Sequence, residues 1–349
     1  MMKIAVYHNL PSGGAKRVLF ETLRRLSEEH VIDVFTLSTA DHDFCDIRPF
    51  ARRHKVFEFQ PLPIYKSPWG RINQMQRYRD LKRLDVLAQQ VVREIEKDSY
   101  DIVYVYPSIW TNAPPELRHL QTPSVYHIQE PLRSVYEARV PRPYQNFGWR
   151  DRLDLFDPLI KLYRNHLIDV DKQSTLKASC LLVNSRFTSE NVRQIYGRES
   201  EVAYYGIDTT AFKPLKDIKK EDFVLSVGAL LPNKGFDFLI LALSKIPEVQ
   251  RPPLRIIGNS SIAEEKLYLE ESAKRLGVRL IIETMVDQDT LLKRYNQASV
   301  FVYSPIREPL GLAPLEAMAC GTPVVGVAEG GVKETILDEI NAVSYTHLR

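Results

Sequence analysis

Short β-branched runs alternate with longer amphipathic stretches along almost the whole chain, and that alternation narrows the fold more than any other feature. Parallel strands need long crossovers, so strand-like runs separated by helical ones build a parallel sheet covered by helices. In the first half the strand candidates are Lys3–His8, Val31–Leu37, Asp101–Tyr106, Ser124–His127 and Leu181–Asn184, with Lys55–Phe59 a weaker one. In the second half they are Phe223–Val227, Leu254–Ile257, Arg279–Ile282, Val300–Tyr303 and Pro323–Val327. Between the halves, Gly206 to Pro214 and the charged Lys216–Asp222 lose this periodicity and mark a linker. With 349 residues there is room for two ordinary domains. The expected division is 1–212, carrying an inserted segment at about 131–175, and 221–349. Two open α/β sheets in tandem place a ligand in the cleft facing the carboxyl ends of their strands.

Composition excludes several classes. Hydrophobic residues make up 44% and charged residues 26%, an ordinary globular balance, and a net charge of +3 is too small to argue for nucleic acid. Cys45, Cys180 and Cys320 are widely spaced and form no CxxC pair, so neither a disulfide framework nor a zinc site is expected. The opening run from Met1 to Tyr7 is short and ends at Pro11-Ser12-Gly13-Gly14, which reads as a first strand rather than a signal peptide. No stretch approaches the roughly 18 apolar residues of a membrane span. The expected location is cytoplasmic.

The chemistry concentrates near the end of the second half. The strand-like Ser299–Tyr303 leads to Glu308-Pro309-Leu310-Gly311-Leu312-Ala313-Pro314-Leu315-Glu316, and a helical stretch follows to Cys320-Gly321. A strand, a loop and a helix start make a phosphate site, because the first helical N–H groups lack internal partners. Glu308 in the loop and Glu316 in the helix, roughly 8–12 Å apart, can grip opposite ends of one ligand. That suits a diphosphate with a sugar at one end and a ribose at the other. Upstream, Gly228 ends a strand in a turn that leads to Lys234 and Gly235, which is expected to offer an anion backbone donors and one mobile cation.

Taken together, these motifs and the trailing Ala317-Met318-Ala319-Cys320-Gly321-Thr322-Pro323 resemble the large retaining glycosyltransferase family 4. The turn at Gly13-Gly14, the His127 region, Val183-Asn184-Ser185 and Tyr205-Gly206-Ile207-Asp208 also fall where that family has its motifs, so the resemblance runs from residue 3 to about 342. It implies the GT-B architecture, two Rossmann-like domains facing each other across a cleft, with the nucleotide-sugar donor on the second. By the resemblance, Glu308 holds donor-sugar hydroxyls and Glu316 the ribose hydroxyls. The N–H groups around Leu310, Gly311 and Leu312 meet the diphosphate, and Lys234 adds positive charge. Gly13 and Gly14 allow close backbone approach, and His127 positions the donor sugar. The implied reaction moves a hexose to an acceptor hydroxyl with retention and needs no metal or other cofactor. Polysaccharide or lipopolysaccharide biosynthesis, with a glycan or lipid-linked acceptor, is the implied setting.

Two departures qualify the expectation. Ala229 stands where many members carry an arginine, which leaves Lys234 or a residue such as Arg307 to supply the charge. After Gly330-Gly331-Val332 the family continues through further helices, whereas Val343–Arg349 does not look like that continuation. The second domain is therefore expected to be incomplete. Two rival functions remain open: a sugar-nucleotide epimerase of the same architecture, and a non-catalytic nucleotide-sugar-binding protein. Lys66–Arg83 is rich in Lys and Arg interleaved with apolar residues, which fits either a core-packed helix or a peripheral contact with an anionic membrane surface at its inner face. In the insert, Arg133, Arg139, Arg142, Arg150 and Arg152, with Tyr136, Tyr144, Phe147 and Trp149, are candidate acceptor contacts.

Overall fold

The computed structural model describes residues 1–66, 72–145, 157–259, 261–338 and 340–345. Trp69 and Arg71 of the basic stretch, and Phe147, Trp149, Arg150 and Arg152 of the insert, lie outside the described residues. The chain divides into two compact units. The first comprises Met1–Arg139, the stretch ending at Asn184, and Thr188–Ala203. The second continues from Tyr204 and adds two short pieces, one beginning at Val140 and the other Ser185–Phe187.

The first unit is built on β1 (Lys3–Asn9), β2 (Val31–Leu37), β3 (Arg53–Phe57), β4 (Ile102–Ser108), β5 (Ser124–Ile128), β6 (Cys180–Val183) and β7 (Glu201–Val202). These pair in the order β3-β2-β1-β4-β5-β6-β7, every pair parallel. Among the described residues its helices are α1 (Gly14–Leu26), α2 (Asn73–Ile95), α3 (Arg133–Tyr136), α4 (Pro158–Lys177) and most of α5 (Arg186–Tyr196). Ala5, Tyr7, Phe35 and Leu37 share one core with Leu81 and Leu84 of α2 and Leu167 of α4. Because strand residues alternate faces, Val6, His8, Val34 and Thr36 point to the other side. There α1 packs, with Leu19 and Leu23 fully buried and its Thr22 accepting from the Tyr106 hydroxyl at 3.4 Å.

The second unit has β8 (Glu221–Val227), β9 (Leu254–Gly258), β10 (Leu280–Thr284), β11 (Ala298–Tyr303), β12 (Val324–Val327) and β13 (Val343–Tyr345). They pair in the order β10-β9-β8-β11-β12-β13, again parallel throughout. α6 (Phe236–Ser244), α7 (Ala263–Arg275), α8 (Gln288–Gln297), α9 (Leu312–Ala319) and α10 (Val332–Thr335) complete it among the described residues. Each unit is thus a doubly wound, Rossmann-like α/β sheet. In each, strand order reverses at one place, between β1 and β4 and between β8 and β11, and such switch points are where ligands bind.

The strands agree with the sequence reading except at β7 and β13. β7 has two residues and carries no period to read. β13 lies where the pattern was expected to break, yet it pairs in register with Val325–Val327. The basic stretch becomes the first turns of α2, and much of its charge is answered within the protein. Buried Asp80 accepts from Arg77 at 2.8 Å and Arg83 at 3.0 Å, while their guanidiniums lie over Trp110 and Phe59. Arg79 and Lys82 stay exposed. Among the described residues no helix is long and apolar enough to cross a membrane.

Candidate functional site

At the second unit's switch point, β8 ends in the turn 228–235 and β11 ends in the loop 304–311. Two bonds stitch these together: Ser304 Oγ donates to the Gly235 carbonyl at 3.0 Å, and the Ile306 N–H to the Asn233 carbonyl at 2.8 Å. Gly235 takes a left-handed φ of +67°, which lets the turn end directly in α6. The stitching brings Lys234 and Glu308 together. The Lys234 ammonium donates to Glu308 Oε1 at 3.0 Å and Oε2 at 2.8 Å, and both side chains are largely buried. Seventy-four residues apart in sequence, the two become one partly desolvated ion pair.

The turn supplies this cation but fewer backbone donors than expected. The N–H of Gly228 goes to the Ile257 carbonyl at 2.9 Å, those of Leu231 and Lys234 go to Ala229 and Leu231, and that of Gly235 to Pro232. The Gly228 N–H completes the β8–β9 ladder and is not among the donors the turn leaves for a ligand. A side chain there would meet only ordinary contacts, the nearest being Lys234 Cδ at 3.5 Å.

Donors remain at the start of α9, whose first N–H groups have no acceptors within the helix. Gly311 caps that helix with a φ of +87°, and a Cβ on it would come within 2.8 Å of the Tyr303 ring. Leu310 is buried, and its carbonyl accepts from the Thr335 hydroxyl at 3.3 Å. Leu312 opens the helix, and Pro314, which has no N–H, occupies a first-turn position where a donor would lack a helical acceptor anyway. Glu316 lies one turn further in, 6% exposed, with its Oε2 accepting from the Tyr295 hydroxyl at 2.7 Å.

A second loop fixes the one that carries Glu308. Gly331 donates its N–H to the Glu308 carbonyl at 2.8 Å, and a Cβ on Gly331 would fall 1.8 Å from the Pro309 carbonyl oxygen. A Cβ on Gly330, at φ +61°, would fall 2.6 Å from the Glu308 carbonyl oxygen. Both glycines are thus required for backbone to lie on backbone. Arg307 adopts a left-handed φ of +50°, a strained conformation of the kind found at functional sites, and its N–H is held by Glu329 Oε1 at 2.9 Å. Its guanidinium lies over the Phe187 ring at 5.9 Å. Glu334 accepts from the N–H groups of Arg186 and Phe187 and from the Tyr204 hydroxyl.

At the first unit's switch point, β1 runs into Gly13-Gly14 and α1. Gly13 caps α1 at φ 142°, a conformation that favours glycine, and its carbonyl accepts from Arg17 at 3.1 Å. A Cβ on Gly14 would meet nothing within 4 Å, so this turn faces open space. His127, near the end of β5, is 3% exposed and lies against the rings of Tyr104 and Tyr106. Its Nδ1 is 2.6 Å from the Tyr104 hydroxyl, and burial lowers the imidazole to about 4, which keeps it neutral at ordinary pH.

Arg142 and Tyr144, candidates for acceptor contact, are engaged elsewhere. Arg142 is buried in the second unit, bonded to Glu265 at 3.0 Å, to both carboxylate oxygens of Asp237 at 3.0 Å and to the Pro232 carbonyl. Tyr144 donates to Glu265 at 2.6 Å. Their position in an insert gave no sign of this destination. Among the described residues, no group of His, Cys, Asp and Glu side chains is placed to hold a metal ion.

Residues 12–211 match the family model described as Glycosyltransferase Family 4, and residues 208–346 match that described as Glycosyl transferases group 1. An uncharacterized glycosyltransferase of Methanocaldococcus jannaschii is 41% identical over 125 residues, covering 35% of this chain and 31% of that protein. A D-inositol 3-phosphate glycosyltransferase of Xylanimonas cellulosilytica is 29% identical over 194 residues, 50% of this chain and 46% of that protein. The matches thus span between about a third and a half of the length of these curated relatives. Among solved structures, Anabaena HepE in complex with UDP and glucose superposes with a TM-score of 0.67 at 19% identity, covering 100% of this chain and 87% of that one.

Proposed function

The chain belongs to glycosyltransferase family 4, and from that premise we propose that it transfers a hexose, with retention, from a nucleoside diphosphate sugar to a hydroxyl of a glycan or glycolipid. The observation that carries this reading is the Lys234–Glu308 pair beside the start of α9. A departing diphosphate develops negative charge. The α9 N–H groups and the Lys234 ammonium are the groups available to meet it, each donor being worth about 3–4 kcal/mol in a closed site.

On this reading, diphosphate binding draws Lys234 from Glu308 towards phosphate oxygens. The freed Glu308 carboxylate then accepts hydrogen bonds from donor-sugar hydroxyls. Glu316 serves the ribose, and its buried position beside Tyr295 fixes its direction. The acceptor proton passes to the leaving phosphate oxygen, so neither a covalent nucleophile nor a metal is needed. His127, held neutral at ordinary pH, is suited to hydrogen bonding a hydroxyl and not to carrying a proton. The UDP and glucose bound to HepE support a nucleotide-sugar donor.

Calorimetric titration against a panel of nucleotide sugars, followed by product analysis with candidate acceptors, tests the proposal. It predicts turnover that survives chelator and a product whose anomeric configuration matches the donor's. Inversion at the anomeric carbon or loss of turnover on chelation would overturn the mechanism. Interconversion of the donor without acceptor would favour an epimerase, and binding without any reaction a non-catalytic role.

A further inference from the structure

The carboxyl edge of the first sheet holds polar groups that the proposed transfer does not use. Lys16, in the first turn of α1, is 1% exposed and has no hydrogen bond or ion pair among the described residues. Alternation places His8 and Thr36, register partners on β1 and β2, on the sheet face that α1 covers, and both are completely buried. His8 Nε2 and Thr36 Oγ1 have no partner. Neither has Nε2 of His42, which follows β2 and lies edge-on to His54 of β3, ring centroids 5.7 Å apart.

The His8 proton can be placed. Its Nδ1 accepts from the Leu10 N–H at 3.4 Å, so in the neutral ring Nε2 carries the hydrogen and is a buried donor with no acceptor. Burial holds this imidazole well below its usual value, and the charges of Lys16, His54 and His42 lower it further. Burial also lowers the Lys16 ammonium to about 8. The nearby acids act on Lys16 only at a distance and are occupied elsewhere. Asp41 accepts from the N–H groups of Asp43 and Phe44, and Asp46 accepts from Arg48.

We propose that Lys16, His8, Thr36 and His42 form a phosphate-binding site under the start of α1. A buried ammonium without a counterion is costly, and so is each buried donor without an acceptor. One tetrahedral oxyanion answers them together, since its oxygens accept from several directions. A compact lysine charge with single donors around it suits phosphate better than a planar carboxylate, which a two-pronged arginine would match. The ammonium repels metal ions, and Cys45 stays a thiol because burial raises it. The site lies in the first unit, so it stands independently of the donor chemistry assigned to the second.

The test follows histidine ring signals of the full chain by 15N NMR during titration with inorganic phosphate, glucose 6-phosphate or UDP. Saturable shifts of the His8 and His42 rings are expected, with affinity falling about tenfold or more in Lys16→Met and several-fold in Thr36→Val. The tightest of the three probes identifies the source: a free ion, a phosphorylated sugar or a nucleotide. Thr36→Val keeps the lysine, so it tests the site even if Lys16→Met disturbs folding. Ring signals that stay still at about 50 mM of every probe would refute the proposal, as would affinities unchanged in both variants.

Discussion

The two sheets end in opposite electrostatic conditions. In the second unit, charge is answered inside the protein: Lys234 by Glu308, Glu283 by Arg255 and Arg294, and Arg142 by Glu265 and Asp237. At the corresponding edge of the first unit, Lys16 and the donors around it stand without counterparts. The paired region is held in shape before any ligand arrives. The unpaired region bears a cost that a bound anion would relieve. Shared topology therefore does not impose a shared way of handling charge, since each edge is set by a few side chains on its loops.

Substitutions can break this contrast, and the expected effects descend in size. Arg142→Met strands two carboxylates, one fully buried, and is expected to cost about 3–5 kcal/mol in chemical denaturation. A loss below about 1 kcal/mol would mean that the pairing contributes little. Lys234→Ala should lower the transfer rate about 10²–10³-fold with the fold retained, as steady-state kinetics and circular dichroism would show. Gly331→Ala forces a Cβ into the Pro309 carbonyl, and should cost roughly 2 kcal/mol of stability and weaken donor binding measured by calorimetry.

The first unit should respond more weakly. His127 titrates near 4 in the folded chain and near its ordinary value when unfolded. The unfolded state thus takes up a proton first, and stability is lost as pH falls from about 6.5 towards 4. His127→Phe should remove about 1–2 kcal/mol of that loss between pH 7 and pH 5, read by denaturation at both. Lys16→Met should have the opposite sign to Arg142→Met and raise Tm by a few degrees at pH 7. With its pKa depressed, Lys16 destabilises fully below pH 8 and progressively less up to about 10.5, so calorimetry should show the gain shrinking over that window. A fall in Tm would show that Lys16 has an internal partner after all.

Much of the fold was legible because buried strands leave short runs dominated by apolar and β-branched residues, as in Val31–Leu37 and Leu254–Ile257, each broken by a single charged residue. Glu308 and Lys234 stood out because each lies in a glycine-bearing loop between a strand-like run and a helix-like one. What escaped depended on partners distant in sequence. Nothing local shows that the Gly228 N–H completes a ladder with Ile257, or that Gly331 must lie on Pro309. Lys16 did leave a trace: with Leu19 and Leu23 it keeps the spacing of a buried helical stripe, a register in which a lysine is out of place.

The Arg142 anchor has a consequence for modularity. A gene fragment that starts at Tyr204 encodes every strand of the later sheet yet omits the guanidinium that neutralises Glu265 and Asp237. Exchange of halves between relatives would succeed only where the graft carries an equivalent basic group from the upstream sequence. Domain-swap chimeras should therefore be cut to keep residues 140–145 with the partner they serve, rather than at the obvious linker.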